Sequence, residues 1–351
     1  MVISNENCLK SIKINWALFA IIALFVIPIQ AQNTGFEWRS IAWSPDGTRI
    51  ALGGGSIYCG QEPDVDKSLF AILILDANTG QQVNSFNGHV CAVNSVVWNS
   101  DGTRLASAGN DGRAIVWDTL TGQRIIEFQD AYGRGASVTG LAWSPDDQSL
   151  AHYIDLGRSP LIIWNANTGQ TVKTFVLEDG VESLAWSPDG SKVAVGDFYG
   201  SIQILDIVTE QIVNTFEVFS QDGRITSVAW SPDGSKLAAS GIGLNILGAE
   251  TGQVLTTMRG HDGNSTIFVS WSSDGRKLAS VGGLDNTVRV WDIDSGLELG
   301  AFPSQSLQLF SVAWSPDGTQ LAFDDVGNKG EITIVTPAFS AMPTPTATSS
   351  S

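Results

Sequence analysis

Trp43-Ser44-Pro45-Asp46-Gly47 returns, whole or in close variants, at Trp98, Trp143, Trp186, Trp230, Trp271 and Trp314. Successive copies lie 55, 45, 43, 44, 41 and 43 residues apart. Within each copy proline presets φ for the second position of a β-turn, aspartate accepts the third, and glycine supplies positive φ where the chain re-enters a strand. Each copy is therefore a hairpin corner. Runs on either side, such as Ile225 to Ala229 before a corner and Lys236 to Ala238 after it, read as half-buried strands. A repeat of roughly 40 to 45 residues with this strand content marks a propeller blade. The expected fold is all-β: a seven-bladed β-propeller of four-stranded antiparallel blades.

The departures preserve the turn. Copy two carries Asn99-Ser100-Asp101-Gly102 and copy six Ser272-Ser273-Asp274-Gly275, while copy three ends in Asp146-Asp147. With the strands of a blade named a to d from axis to rim, the c-to-d turns are Thr79-Gly80, Thr121-Gly122, Thr168-Gly169, Thr209-Glu210, Thr251-Gly252 and Ser295-Gly296. The outer strands after them end at Phe86, Phe128, Phe175, Phe216, Met258 and Phe302. Six outer strands stand against seven inner sets. Proline interrupts the tail after Glu331 to Val335, so Ala338 to Met342 offers at best a short edge strand, and the last blade is expected to be three-stranded or weakly closed. Residues 32–336 form the propeller on this reading, and 337–351 a disordered Pro/Thr/Ser-rich tail.

Lys10 and Lys13 precede an apolar run from Trp16 to Ile29, and Ala31 offers a small residue for cleavage. Residues 1–31 are therefore expected to be a signal peptide, with an uncleaved N-terminal anchor, and membrane contact through it, as the alternative. The localisation expected is exported: extracellular, periplasmic or associated with the cell envelope. Cys59 and Cys91 fall in a b-to-c and a d-to-a loop of neighbouring blades, which open on one face. An oxidising setting would join them in a disulfide, and two small buried thiols are the alternative. With 19 basic against 36 acidic side chains the chain carries −17, which repels phosphate backbones, so nucleic acid is not an expected partner.

Gly88-His89 with Asp111 and Trp117-Asp118, and Gly260-His261 with Asp285 and Trp291-Asp292, give the chain a resemblance to the WD-repeat family over about residues 36 to 336. Its features taken together suggest an exported, bacterial-type member. The resemblance implies two buried hydrogen-bonded sets, His89, Ser107, Asp111, Trp117 and His261, Ser280, Asp285, Trp291. Both histidines would then be structural posts rather than catalysts, since satisfied buried networks rigidify a fold. The other five blades lack the set, and blade 3 keeps only Trp164. His152 stands where a strand-b serine would be, which favours packing over chemistry.

Motifs for chemistry are thin. No Cys/His metal spacing, phosphate-cradling glycine motif or Gly-x-Ser-x-Gly elbow occurs. Gly53-Gly54-Gly55 leads into a loop rather than a helix, and Asp64 with Asp66 reads as a solvated acidic loop before a Ca²⁺ site. No metal, cofactor or catalytic residue is expected. All four tyrosines map to one face: Tyr58 and Tyr199 in b-to-c loops, Tyr132 in a d-to-a loop, and Tyr153 at a strand end. Arg134, Arg158, Asp197 and Phe198 join them. Tyrosine and arginine bring area and hydrogen bonds together at binding hot spots. This set is the candidate interaction surface, against the plainer reading that these residues pack their own loops. The function expected is a non-catalytic scaffold that binds a protein or peptide. The alternative is an exported propeller that binds or processes a small molecule, glycan or peptide in its axial channel. A second alternative resembles the propellers of the Tol-system translocation protein or of oligopeptidases, but no hydrolase-sized segment lies outside the repeats.

Overall fold

The computed structural model describes residues 24–27, 36–56, 70–129, 137–155, 160–220, 223–261, 266–304, 309–325 and 331–337. Their strands form seven four-stranded antiparallel sheets. Blade 2 shows the pattern, with Val93–Trp98, Arg104–Gly109, Arg113–Asp118 and Arg124–Gln129 as strands a to d. Blade 1 occupies 36–86, blade 3 137–176, blade 4 183–217, blade 5 227–258 and blade 6 266–303. Blade 7 takes strands a to c from Val312–Trp314, Leu321–Asp325 and Glu331–Val335.

The corners obey the turn chemistry. In the first, Gly47 N–H donates to Ser44 O at 2.8 Å, and the Ser44 hydroxyl donates to Asp46 at 2.6 Å while accepting from Arg49 N–H at 2.9 Å. Gly47 has φ of 70°, and Asp147 takes the same left-handed place in blade 3 at 58°. The tryptophan that opens each corner links the blades in series. Its indole N–H donates to a main-chain carbonyl of the preceding blade: Trp98 to Ala42, Trp143 to Val97, Trp186 to Ala142, Trp230 to Ala185 and Trp271 to Ala229, at 3.1 to 3.2 Å. Trp43 reaches Ala313 of blade 7 at 3.2 Å and so closes the circle. Trp314 breaks the series, with no partner for its indole nitrogen among the described residues.

The core is a ring of sheet-on-sheet layers. Each apolar cluster joins two neighbouring blades, as Ala106, Val116, Leu141, Leu150 and Trp164 do between blades 2 and 3. Trp38, Ile50, Leu52, Ile332 and Ile334 do the same between blades 1 and 7. Fully burying side chains of this size contributes about 1.5–3 kcal/mol each. The b and c strands are buried on both faces and carry unbroken buried runs, as in Arg104–Gly109 and Arg113–Asp118.

The outer strand of blade 7 is Leu24–Ile27, antiparallel to Glu331–Val335 with Leu24 opposite Val335 and Ile27 opposite Ile332. The last repeat supplies three strands, as expected, and the N-terminal segment supplies the fourth. A boundary after residue 31 therefore cuts through a blade. The physical reason is edge pairing: four residues from the other end of the chain cover the exposed edge of Glu331–Val335 and so close the ring. Ala338 to Met342, expected as the nearest source of that strand, lie outside the described residues.

Candidate functional site

The a-to-b and c-to-d turns emerge on one face of the ring, and the b-to-c and d-to-a loops on the other. On the second face lie the two buried sets. His89 Nδ1 sits 3.0 Å from Asp111 Oδ1 and its Nε2 2.8 Å from the Ser107 hydroxyl, which accepts from Trp117 Nε1–H at 2.8 Å. His261 repeats the arrangement with Asp285 at 3.0 Å, Ser280 at 2.7 Å, and Trp291 donating to Ser280 at 2.7 Å. Burial pushes the Asp111 carboxyl up, but the His89 hydrogen bond and charge, Val90 N–H and Arg113 outweigh it and hold the group below its ordinary value. Burial lowers His261, opposed by Asp285. Both imidazole nitrogens of each set are hydrogen-bonded, to the Asp carboxylate and to the Ser hydroxyl.

Blade 3 differs. His152 pairs in register with Ile162 as Ser107 does with Ile115, so it occupies the serine position. It is fully buried, 4.7 Å from the Phe128 ring centroid and 6.4 Å from that of Trp164. Among the described residues neither ring nitrogen of His152 nor Trp164 Nε1 has a hydrogen-bond partner. Burial lowers the His152 pKa to about 3, so it stands neutral. In blade 7 the fully buried Asp324 accepts the N–H groups of Phe310 at 2.9 Å and Ser311 at 2.8 Å, tying down the start of the inner strand.

Of the candidate interaction surface, the described residues are Tyr153, Asp197, Phe198 and Tyr199. Tyr58, Tyr132, Arg134, Arg158 and Cys59 lie outside the described residues. Tyr153 is corrected to a core residue: it is 7% exposed, packs with Leu161 and Val195, and donates its hydroxyl to Glu182 O. Asp197 is corrected likewise. Only 1% exposed, it accepts the N–H groups of Tyr199 at 2.9 Å and Ser201 at 2.8 Å, and burial raises its pKa against those bonds. Its role is to shape the turn that presents Phe198 and Tyr199.

That turn is stitched to the next loop. Val218 and Phe219 N–H both donate to Gly200 O, and Ile225 N–H donates to Asp197 O, at 2.9 to 3.0 Å. Gly200 has φ of 89°, and any Cβ there would press on Gly223 O at 2.6 Å. On this fixed tip Tyr199 is 55% exposed, and the Arg224 guanidinium lies 4.9 Å over the Phe198 ring with its side chain 60% exposed. Ile242, 46% exposed, borders the same patch through Gly223. Arg224 and Ile242 escaped the sequence reading because they belong to blade 5, and only the packed loops bring them to Phe198.

The channel side offers a polar cluster bonded largely within itself, with Arg39 Nε unpartnered among the described residues. Arg39 Nη1 donates to Asn94 Oδ1 at 3.1 Å, and the Asn94 amide donates to Asn110 and Ser137 at 2.6 and 3.0 Å. Among the described residues no group of three or more histidines, cysteines or acids is placed to hold a metal ion. Cys91 is 4% exposed and disulfide-bonded.

The model of the WD domain, G-beta repeat, matches residues 80–118, 211–243 and 252–292, and that of the anaphase-promoting complex subunit 4 WD40 domain matches 176–222. THO complex subunit 3 of Arabidopsis thaliana is 27% identical over 255 residues, 69% of this chain and 78% of that protein. Protein HIR1 of Cryptococcus neoformans is 29% identical over 168 residues, 45% of this chain but only 18% of that protein. The chain thus spans most of the first relative and under a fifth of the second. The propeller domain of Cps50 (Swd1) from Myceliophteria thermophila superposes with a TM-score of 0.72 at 16% identity, covering 89% of this chain and 100% of that one, a likeness of fold. These matches support WD40 repeats at the matched residues of a seven-bladed propeller. They also overturn the expected exported localisation: the relatives are eukaryotic intracellular proteins. The misreading came from an apolar run whose described part, Leu24–Ile27, is a blade strand. Nothing in the matches supports a bacterial-type member.

Proposed function

We propose that this WD40-repeat propeller is a non-catalytic protein-interaction scaffold whose partner docks at Phe198, Tyr199, Arg224 and Ile242, between blades 4 and 5. The observation that carries the reading is the exposed Tyr199 beside the stacked Arg224, both held on loops that are hydrogen-bonded to each other. A side chain presented from a rigid tip loses little conformational entropy on binding, so more of its contact area appears as affinity. The kinship with a THO complex subunit supports a role in an assembly, and the engagement of His89 and His261 within their own blades supports a role without catalysis. On the same reading Cys91 is paired with Cys59.

Affinity capture with the full chain and with a Tyr199→Ala/Arg224→Ala variant, from an extract of the source cells, tests the reading. The expected result is a discrete protein retained by the wild type and lost by the folded variant. Equal retention by both would remove the patch from the account, and binding of a metabolite in place of any protein would move attention to the axial channel.

A further inference from the structure

The face opposite Tyr199, built from the corners and the c-to-d turns, carries an arginine-binding arrangement that the protein uses internally. The first strand-b residue after a corner reaches across to the tryptophan of the next blade. Between blades 2 and 3, the Arg104 guanidinium lies 4.9 Å over the Trp143 ring, donates to Asp147 O at 2.9 Å, and donates to Asn167 Oδ1 at 3.0 Å. Between blades 1 and 2, Arg49 lies 4.9 Å over Trp98, its Nη2 beside Gly102, the counterpart of Asp147. Stacking on the indole and a planar fork of donors make arginine suited to this seat.

Between blades 4 and 5 the seat is present and its arginine is not. The repeat places Lys192 at the position of Arg104, Trp230 at that of Trp143, Gly234 at that of Asp147, and Glu250 at that of Asn167. These four residues line one open groove of about 620 Å³, with Asp189 and Asp233 also in its wall. Lysine carries a compact point charge without the fork, and among the described residues no cation lies over Trp230 as Arg49 and Arg104 do over Trp98 and Trp143. The neighbouring interface is filled by other means: Lys173 of blade 3 donates to Ile207 O and pairs with Glu210 at 3.1 Å, whereas its counterpart in blade 4 is the uncharged Asn214. Both wall aspartates titrate at about 2, Asp189 held down by the Ser187 hydroxyl and Asp233 by that of Ser231, so the walls are anionic.

We propose that this groove takes an arginine side chain from a partner protein, its guanidinium stacked on Trp230 and paired with the Glu250 carboxylate. Glu250 replaces the amide that Arg104 meets with a carboxylate, so the guanidinium gains an opposite charge and a second acceptor oxygen for bidentate pairing. The groove lies on the face opposite Tyr199, goes beyond the scaffold reading above, and stands whether or not that surface binds.

The test is a titration of the full chain with N-acetyl-arginine amide, following the Trp230 indole N–H by NMR, the signal being assigned by its loss in Trp230→Phe. The expected result is a saturable shift in the millimolar range, with N-acetyl-lysine amide about fivefold weaker or worse. Glu250→Gln should weaken the arginine probe about tenfold. Lys192→Arg should abolish the shift by seating its own guanidinium, as blades 1 and 2 do. Absence of saturation in the wild type, equal response to the lysine probe, or an unchanged response in Lys192→Arg would each overturn the proposal.

Discussion

Replacing His152 by leucine should flatten the acid sensitivity of this protein by a calculable amount. His152 is fully buried against Phe128 and Trp164 with no hydrogen-bond partner among the described residues, and desolvation brings its pKa from 6.5 to about 3. The unfolded chain binds a proton at this residue below about pH 6.5, while the native state refuses it until about pH 3. The stability tied to the neutral ring is complete above pH 6.5 and is lost progressively as pH falls toward 3. At about 1.4 kcal/mol per pH unit the full effect is roughly 5 kcal/mol, and between pH 7.5 and 4.5 it is roughly 3 kcal/mol. Leucine nearly matches the imidazole in volume and does not titrate. Urea denaturation of both proteins at the two pH values isolates the residue, because the contributions of the carboxylates cancel between them. The wild type should lose about 2–3 kcal/mol more than His152→Leu on acidification. Equal losses would refute the assignment of His152 as a neutral, unpartnered core residue. At pH 7.5 the variant should be the more stable by about 1 kcal/mol, since two unsatisfied ring nitrogens leave the core.

Ser107→Ala leaves His89 Nε2 and Trp117 Nε1 without their shared partner and should cost about 2–4 kcal/mol in the same assay, with Trp117→Phe in the same chain restoring part of it. A cost under about 0.5 kcal/mol would show the set to be dispensable. Deletion of residues 1–27 removes the strand that covers Glu331–Val335 and should speed hydrogen exchange in that segment at least tenfold, whereas unchanged exchange would exclude Leu24–Ile27 as the closing strand. Peptide mapping without reduction should recover Cys91 joined to Cys59, and a Cys8 to Cys91 peptide would contradict the pairing proposed.

The corner motif made the ring legible because its chemistry is local: proline, aspartate and glycine specify a turn wherever they stand, and the seven copies count the blades. The residues of the two buried sets were legible through the resemblance to the WD-repeat family, which the Gly-His and Trp-Asp pairs of blades 2 and 6 carry. Leu24–Ile27 was not, because its partner strand begins more than 300 residues later and no Thr-Gly turn introduces it. Its unbroken apolar character also differs from outer strands such as Gln82–Phe86, which alternate with polar residues, and imitates a leader. Counting loop positions placed Tyr153 and Asp197 on the correct face but could not show which way they point. Gly140 is the local sign for Tyr153, since a Cβ there would collide with the tyrosine ring. The vacant arginine seat needed both levels, the repeat to align Lys192 with Arg104 and the structure to show what Arg104 touches.

The central claim is a rigid platform that binds protein at the junction of blades 4 and 5, and hydrogen-exchange mass spectrometry of the full chain with its captured partner tests it most directly. The account predicts protection concentrated in residues 196–200, 223–226 and 240–244, with exchange elsewhere in the blades unchanged and the protection lost in Tyr199→Ala/Arg224→Ala. Protection confined to other blades, or slower exchange spread evenly around the ring, would contradict it.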